Sequence, residues 1–268
     1  MTDQIPLGQA TSYPDQYSPD LLYAIARTES REALGLGPEL PFHGSDIWNA
    51  WELTWLAPGG APQVAVAEII VPALSPNIVE SKSLKLYLNS FAMSSFASAD
   101  EVSDTIRNDL HRCLGVAVEV SLRASSDGVA IEALPGTCID VPDVHCDTYE
   151  VDSALLRAGE ETVDESLHSH LLRSMCPVTN QPDMGSILIT YRGPRIDREG
   201  LLKYIVSYRQ HNDFHEVCIE RVFIDILRRC KPQQLSVYAR FLRRGGIDIN
   251  PFRSNFEGDT SNARVWRQ

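Results

Sequence analysis

The sequence lacks any uninterrupted run of the roughly 20 apolar residues that a membrane-spanning helix requires. Its first residues also lack the basic segment and apolar core that direct secretion. Basic residues are scarce, since 24 lysines and arginines face 36 aspartates and glutamates, for a formal charge of −12. Because an acidic surface repels polyanions, we expect a cytoplasmic protein that binds neither nucleic acid nor a membrane.

Two kinds of motif are also absent. No CxxC occurs among the six cysteines, and the closest pair, Cys138 and Cys146, has only His145 beside it. That spacing matches no tetrahedral zinc pattern, so we expect no bound metal and at least one free thiol. Neither GxGxxG nor GxxxxGK[ST] occurs, which argues against Rossmann and P-loop nucleotide sites.

What the chain does contain is 43% hydrophobic residues, arranged in the same order of elements twice. In the first half we predict strands at 51–55 and 63–71, helices at 83–93 and after Ser98, and strands at 116–122 and 129–134. In the second half we predict a strand at 186–191, a helix around Leu201 and Ile205, a helix at 214–229, and strands at 235–242 and 247–249. This pattern predicts an α+β protein with two antiparallel sheets, each backed by a helix pair.

Composition divides the chain into four parts. Residues 1–44 are expected to form an N-terminal arm with one short helix at 18–26, followed by a first folded unit at 45–134. Residues 135–174 carry nine acidic and two basic side chains without clear periodicity, so we interpret them as an acidic connector. Residues 175–268 form the second unit.

Cys176 begins the segment Cys-Pro-Val-Thr-Asn-Gln-Pro-Asp, which ends at Asp183. Proline favours extended backbone in the residue before it, so the segment predicts a rigid loop at the edge of a sheet. Such a loop suits a thiolate nucleophile, and Asp183 would offer a carboxyl group for proton transfer. The alternative is a small buried cysteine near a turn aspartate, and composition alone favours it.

Phe214, His215 and Glu216 begin the longest predicted helix of the second half. A glutamate in the first turn is stabilised by the helix dipole, which is one explanation for Glu216. The other explanation is recognition of a polar heterocycle, in which His215 and Glu216 supply a donor and an acceptor and Phe214 supplies a stacking face.

The peptide Val-Glu-Ser-Lys-Ser-Leu-Lys at 79–85 lies at a strand-to-helix junction. Ser81 or Ser83 would cap the helix, and the two lysines at its start would favour an anion. Glu80 does not suit a phosphate, but it suits a guanine-like edge that presents two N–H donors. The alternative is an ordinary capped and solvated helix start.

The densest basic cluster of this acidic chain lies at 240–246 and includes Arg244 and Gly245. A glycine turn flanked by arginines lets backbone N–H groups and guanidinium contact a phosphate together. A solvated hairpin tip would have the same composition.

Taken together, these segments resemble the long, two-domain form of the QueF family, the nitrile reductases of the queuosine pathway. The matching motifs are Glu-Ser-Lys-Ser-Leu-Lys-Leu-Tyr at 80–87, the Cys-(six residues)-Asp loop, the His-Glu pair, and Arg-Arg-Gly-Gly-Ile-Asp-Ile-Asn-Pro at 243–251. Each motif alone is weak, but four in this order are specific, and the resemblance covers nearly the whole chain.

The resemblance implies that 7-cyano-7-deazaguanine is reduced to 7-aminomethyl-7-deazaguanine by two molecules of NADPH. It also implies a homodimer of tandem tunnelling-fold (T-fold) units, each with a four-stranded antiparallel sheet and two helices. By the same resemblance, Cys176 forms a thioimide with the nitrile carbon and Asp183 is the proton donor. Substrate contacts would be Val79, Glu80, Ser81, His215 and Glu216, beside the ring of Phe214. NADPH contacts would be Ser81, Lys82, Arg244 and Gly245.

Three other functions would explain part of these features. A nitrilase-type hydrolase would also use a cysteine on a nitrile, but it would release ammonia and ignore NADPH. A pterin-type T-fold enzyme similar to GTP cyclohydrolase would require zinc ligands that the sequence does not supply in a recognisable pattern. A non-catalytic T-fold protein that binds deazapurines would tolerate the loss of Cys176.

Overall fold

The computed structural model describes residues 13–258 and 260–268; Asp259 and the first twelve residues of the predicted arm lie outside the described residues. In chain order the elements are β1 Ala24–Ala26, α1 Thr28–Ala33, β2 His43–Leu56, β3 Pro62–Pro72, β4 Asn77–Val79, α2 Ser81–Asn89, α3 Ala99–Leu114, β5 Glu119–Ala124, β6 Thr137–Cys138, β7 Ala158–Met175, β8 Pro182–Ile196, α4 Arg198–Ser207, α5 His215–Cys230, β9 Gln234–Phe241 and β10 Ile247–Ser254. The predicted α+β class is confirmed. Among the described residues, no helix has the length and apolarity needed to cross a bilayer.

The described chain divides into two compact units. Unit 1 comprises residues 13–30, 46–129 and 243–248, and unit 2 comprises 31–45, 130–242, 249–258 and 260–268. The polypeptide therefore leaves each unit and returns to it, so neither unit is one continuous stretch of sequence.

Unit 1 contains a sheet in which β3 lies between β2 and β5, with β3 and β5 antiparallel. Helix α3 packs on β5. Ser98 caps this helix by accepting the N–H of Glu101 at 3.2 Å, and Gly115 ends it at φ +74°, both as the sequence predicts. The predicted inner side chains Val102, Ile106 and Leu110 are fully buried.

Unit 2 is built on the strand order β10-β9-β8-β7-β6, in which β10, β9, β8 and β7 are antiparallel to their neighbours and β6 is parallel to β7. Helix α5 packs on β7, β8 and β9. Its predicted inner residues are fully buried; they are Ile219, Val222, Phe223 and Ile226. The start of α5 therefore lies over one end of the sheet, where the strands turn.

The structure differs from the sequence predictions in two segments. The helix predicted at 18–26 is wrong, because Pro19–Leu21 forms only one 3₁₀ turn and Ala24–Ala26 is a strand paired with β4. The strand predicted at 129–134 is also wrong, since Ile131 forms one isolated bridge with Arg264. In both segments, pairing with a distant residue decides the backbone conformation.

The second half of the segment at 135–174 is the 18-residue strand β7. Its first part is largely exposed, so acidic side chains occupy positions that would be apolar in a buried strand. Pairing with β8 nevertheless satisfies its backbone groups. The strand therefore lacks the alternating apolar pattern by which strands are recognised in a sequence.

Candidate active site

Cys176 directly follows β7, and residues 176–181 turn the chain into β8. The N–H of Cys176 donates to the carbonyl of Gln181 at 2.9 Å, and the N–H of Asn180 donates to the carbonyl of Cys176 at 3.0 Å. Asn180 adopts the left-handed conformation at φ +56°, which this residue type tolerates. The thiol is thus fixed at the end of the β7–β8 hairpin, where Cys176 is only 4% exposed.

Asp183 lies on the same face of the hairpin as Cys176. Its Cα is paired with that of Ser174, and the bond from Cys176 to Gln181 continues this register by two residues. Since side chains alternate between the two faces of a strand, Cys176, Ser174 and Asp183 project to one side. Asp183 is 7% exposed, so the hairpin holds a thiol and a carboxyl group together in a nearly dry environment.

The start of α5 is joined to this hairpin by backbone hydrogen bonds. The N–H of Met175 donates to the carbonyl of His211 at 2.8 Å, and the N–H of Asp213 donates to the carbonyl of Met175 at 3.1 Å. These bonds place the segment before α5 beside the cysteine. The structure therefore brings together five residues that the sequence singled out, which are Cys176, Asp183, Phe214, His215 and Glu216.

The side chains at the start of α5 complete this arrangement. Nε2 of His215 lies 3.7 Å from Oδ1 of Asp183, and its ring packs edge-on against Phe241 at 4.2 Å between centroids. Glu216 is 2% exposed in the first turn, so it is not a solvated surface carboxylate. Phe214 is the N-cap residue and is half-buried.

Besides Oγ of Ser174, two buried polar atoms near the cysteine lack a hydrogen-bond partner among the described residues. They are Oγ1 of Thr179, within the turn, and Nε2 of His211, in the segment bonded to Met175. His211 Nε2 lies 3.6 Å from a carboxylate oxygen of Asp213, which is too far for a hydrogen bond. Because an unsatisfied buried polar atom is unfavourable, these two atoms indicate a place for polar groups of a ligand.

Two other buried thiols of unit 2 are unsuited to act as nucleophiles. Burial raises the pKa of Cys218 well above its usual value and raises the pKa of Cys230 to about 11. A thiol with a raised pKa stays protonated at neutral pH and is a poor nucleophile. These two cysteines of α5 are therefore core residues.

In unit 1, Glu80 is the N-cap residue of α2. Its carboxylate accepts the N–H of Lys82 at 2.9 Å and the N–H of Ser83 at 2.7 Å. The prediction that Ser81 or Ser83 caps this helix is therefore wrong, and Ser83 Oγ instead donates to the carbonyl of Glu80 at 2.7 Å. Glu80 is completely buried, and its two bonds use about half of the acceptor positions of a carboxylate.

Unit 1 contains a cleft of about 360 Å³ that is lined by Lys82 and Gly245, among other residues. These two residues belong to separate sequence motifs, and the sequence analysis expects both to contact NADPH. Gly245 has φ +63°, and a Cβ there would lie 3.2 Å from Cδ of Lys85, which also lines the cleft. Glycine is thus favoured by both the backbone conformation and the close approach of the lysine. Ser81 and Arg244 are not among the lining residues.

The sequence analysis missed a group of residues beside this cleft. Asp248 is 1% exposed and accepts hydrogen bonds from Nδ2 of Asn49 at 2.7 Å and from the indole of Trp51 at 2.5 Å. The guanidinium of Arg243 lies 5.8 Å from the centre of a Trp51 ring. The sequence offered one indication of this group, which is that Asp248 belongs to the Arg-Arg-Gly-Gly-Ile-Asp motif. These residues hold an aromatic surface and a cation next to the two lysines.

Two family models match the chain. The one described as nitrile reductase, 7-cyano-7-deazaguanine-reductase N-term, matches residues 13–122, and the one described as QueF-like protein matches residues 182–259. One solved structure, the archaeosine synthase QueF-Like in the apo form, aligns with 36% of this chain and 96% of that chain, at 17% identity and a TM-score of 0.32.

Curated relatives match nearly the whole chain, and three of them share the name NADPH-dependent 7-cyano-7-deazaguanine reductase. The relative from Paraburkholderia xenovorans (strain LB400) is 54% identical over 258 residues, 95% of this chain and 94% of its own. Those from Burkholderia multivorans (strain ATCC 17616 / 249) and Burkholderia ambifaria (strain MC40-6) are 53% and 54% identical over 98% of both chains. The similarity therefore includes both units and every motif described above.

Proposed function

The chain belongs to the family of NADPH-dependent 7-cyano-7-deazaguanine reductases, and we propose that it works through a covalent thioimide on Cys176. The reaction is the four-electron reduction of the nitrile of 7-cyano-7-deazaguanine to the aminomethyl group of 7-aminomethyl-7-deazaguanine, a step of queuosine biosynthesis. The observation that carries the covalent route is the shared face of Cys176 and Asp183 at the end of the β7–β8 hairpin.

The first step forms one bond and moves one proton. The sulfur of Cys176 adds to the nitrile carbon, one C–N π bond breaks, and the nitrogen takes up a proton from Asp183. A nitrile is a poor hydride acceptor, and the protonated thioimide is a better one, so the covalent step divides one difficult reaction into easier ones. His215, 3.7 Å from Asp183, is placed to stabilise the carboxylate that remains.

The deazaguanine is held in this proposal by polar groups at the start of α5. The buried carboxylate of Glu216 would accept N–H donors of the purine edge, and the half-buried ring of Phe214 would stack on it. Thr179 and His211 would supply the two polar atoms that otherwise lack partners. From unit 1, Val79, Glu80 and Ser81 are assigned to the substrate by the family motif.

NADPH fits the donor set of the unit 1 cleft. Lys82 and Lys85 offer cations, and Gly245 and Gly246 leave the backbone accessible, which is the chemistry that phosphate groups require. Ser81 and Arg244 are assigned to NADPH with Lys82 and Gly245 by the family motif. When bound, NADPH supplies the hydride for each of the two reductions.

We also assign the finer fold and assembly by family membership. Unit 2, with antiparallel strands β10-β9-β8-β7 and helices α4 and α5, has the composition of a T-fold unit. Unit 1 would be the second of the tandem pair, with β2, β3, β5, α2 and α3. We expect a cytoplasmic homodimer that binds neither tRNA nor membrane, and light scattering coupled to size exclusion measures its mass.

Intact mass spectrometry tests the covalent route directly. The protein mixed with 7-cyano-7-deazaguanine alone should gain the mass of the substrate, and added NADPH should discharge the amine with two equivalents oxidised. Cys176→Ala should lose the adduct and the turnover, whereas Cys146→Ser, which changes a cysteine outside the proposed site, should retain both. Undiminished reduction by Cys176→Ala would contradict the mechanism. Ammonia release without NADPH oxidation would indicate a nitrilase, and tight binding without an adduct would indicate a binding protein.

A further inference from the structure

A cluster of metal-ligating side chains lies in unit 2, outside the residues assigned above. The Sγ of Cys138 and one ring nitrogen each from His168 and His170 lie within 4.8 Å of one another. Cys138 in β6 is the parallel partner of His168 in β7, and His170 follows two residues later on the same strand. This register directs Cys138 and His168 to one face, and the ring nitrogen of His170 lies beside them.

Nδ1 of each histidine has a hydrogen-bond partner. Nδ1 of His168 lies 2.9 Å from the carbonyl oxygen of Pro135, and Nδ1 of His170 lies 2.8 Å from Oγ of Ser186. A carbonyl oxygen only accepts, so Nδ1 of His168 carries a proton and, in the neutral ring, Nε2 has the lone pair. A histidine whose second nitrogen is fixed by a carbonyl or hydroxyl is typical of metal centres.

The backbone near His170 is irregular in a way that supports a site. The register between β7 and β8 shifts between Ser169 and Leu172, which indicates a β-bulge at His170. Bulges redirect a side chain and are frequent beside functional sites. His168 is 8% exposed, whereas Cys138 is exposed, so the cluster has a buried side and an open side.

We propose that Cys138, His168 and His170 bind one Zn²⁺, with water as the fourth ligand. A thiolate with two imidazoles is a ligand set that zinc accepts, and three protein ligands leave one position open. Tetrahedral zinc places its ligand atoms roughly 3.3–3.6 Å apart, so the three atoms, which lie within 4.8 Å of one another, need to approach by at most about 1.5 Å. Exposed Cys138 belongs to a two-residue strand, which allows this adjustment.

The site explains what would hold β6 in place. This strand has two residues and lies at the outer end of the strand order, where β7 is its one neighbour among the described strands. A metal shared by Cys138 and the two histidines would link β6 to β7 across that pairing. Since the assembled ligands exist only in the folded chain, zinc would stabilise it. Cys138 would then share the metal with the two histidines of β7, and not with Cys146 and His145, which are its nearest candidates in the sequence.

Cobalt substitution tests the site independently of the reductase reaction. Protein stripped with a chelator is titrated with Co²⁺, and we expect one equivalent to give tetrahedral visible bands and a thiolate-to-cobalt band in the near ultraviolet, both removed by Zn²⁺. Cys138→Ser should abolish the thiolate band and weaken zinc binding at least about tenfold, whereas Cys146→Ser should behave as wild type. His170→Gln should weaken binding to a similar extent, and Ser186→Ala by about tenfold.

Several outcomes would overturn this proposal. They are the absence of a one-to-one complex, a thiolate band that survives in Cys138→Ser, and equal zinc affinity in Cys138→Ser and Cys146→Ser. Selective Cu²⁺ binding with an intense thiolate band, without zinc binding, would assign the cluster to copper instead. A zinc-dependent rise in melting temperature in wild type that is absent in Cys138→Ser would support the proposal, and this readout requires neither substrate nor NADPH.

Discussion

Nε2 of His215 lies 3.7 Å from Oδ1 of Asp183, and both side chains are largely withdrawn from solvent. One residue begins α5 and the other lies on β8. Two ionisable groups this close in a dry environment influence each other's charge, so the ionisation of one depends on the state of the other. In the proposed mechanism Asp183 delivers the proton to the nitrile nitrogen, and His215 stabilises the carboxylate that remains.

Replacing the carboxylic acid of Asp183 by an amide should therefore impair proton delivery without changing the shape of the site. We expect Asp183→Asn to lower the rate of NADPH oxidation by about 10²–10⁴, the usual contribution of a general acid. The KM for the nitrile should change much less. Steady-state kinetics measure both quantities, with Asp164→Asn, an exposed aspartate of β7, as the matched control. Equal rates in the two variants would remove Asp183 from the mechanism.

Glu80 has two proposed tasks that one variant can separate. Glu80→Ala removes the cap of α2 and should lower the free energy of unfolding by about 0.5–2 kcal/mol. If Glu80 also binds the deazaguanine, the KM for the nitrile rises as well. Ser98→Ala removes the cap of α3 with a similar loss of stability, and we expect its KM to stay unchanged. Urea unfolding and kinetics on both variants are the measurements, and an unchanged KM in Glu80→Ala would leave Glu80 as a cap alone.

Lys82 and Lys85 should act on NADPH rather than on the nitrile. A charge-assisted contact contributes about 1.5–3 kcal/mol, so we expect Lys82→Ala to raise the KM for NADPH at least tenfold. Lys85→Ala should also raise the KM for NADPH. Added salt should reduce the difference in this KM between each variant and wild type, because it screens the attraction between the lysines and NADPH in wild type. Lys203→Ala, which removes a surface lysine paired with Glu199, serves as the control. A KM increase for the nitrile alone would contradict the assignment of the cleft.

Alkaline pH should destabilise unit 1 through two phenols, the buried Tyr87 and the partly exposed Tyr17. Burial, with the hydrogen bond to Asp109 second, raises the pKa of Tyr17 to about 12, and the pKa of Tyr87 is raised further for the same reasons. Each folded-state pKa lies above the unfolded value of about 10, so the protonated phenol favours the folded chain. The contribution of Tyr17 is present below pH 10 and is lost as the pH rises from 10 to about 12, and that of Tyr87 continues to fall at higher pH.

Urea unfolding between pH 8 and pH 11 measures this effect. We expect the free energy of unfolding to fall above about pH 10 in wild type. Tyr17→Phe should be less stable than wild type at pH 8, because it loses the 2.7 Å hydrogen bond to Asp109. Above pH 10, its free energy of unfolding should fall less steeply than that of wild type. Tyr149→Phe, which changes an exposed tyrosine, should follow the wild-type slope. Parallel curves for Tyr17→Phe and wild type would contradict the assignment.

Local patterns predicted helices α2, α3, α4 and α5, but they missed α1, and the helix predicted at 18–26 was wrong. The cap at Ser98, the ending at Gly115 and the buried side of α5 depend on residues within a few positions of one another, so they are visible in one sequence. The cap of α2 was missed for a specific reason. A serine is the usual N-cap, but the longer side chain of Glu80 reaches two backbone N–H groups from the preceding position.

Contacts between distant parts of the chain could not be predicted in this way. The bonds of Asp248 to Asn49 and Trp51 join residues separated by 199 and 197 positions. The cluster of Cys138 with His168 and His170 depends on the register of a two-residue strand, for which no periodic pattern exists. Register follows from the assembled sheet, so such groups become visible only when the pairing is known.

The pairing of Ser174 with Asp183 determines where the hairpin tolerates extra residues. Residues inserted between Cys176 and Gln181 would enlarge the turn, while both strands keep their register and Cys176 keeps its carboxyl neighbour. One residue inserted between Gln181 and Asp183 would instead rotate that carboxyl to the opposite face of β8. In diverged relatives, the number of residues between the positions of Gln181 and Asp183 should therefore vary less than the number between the positions of Cys176 and Gln181.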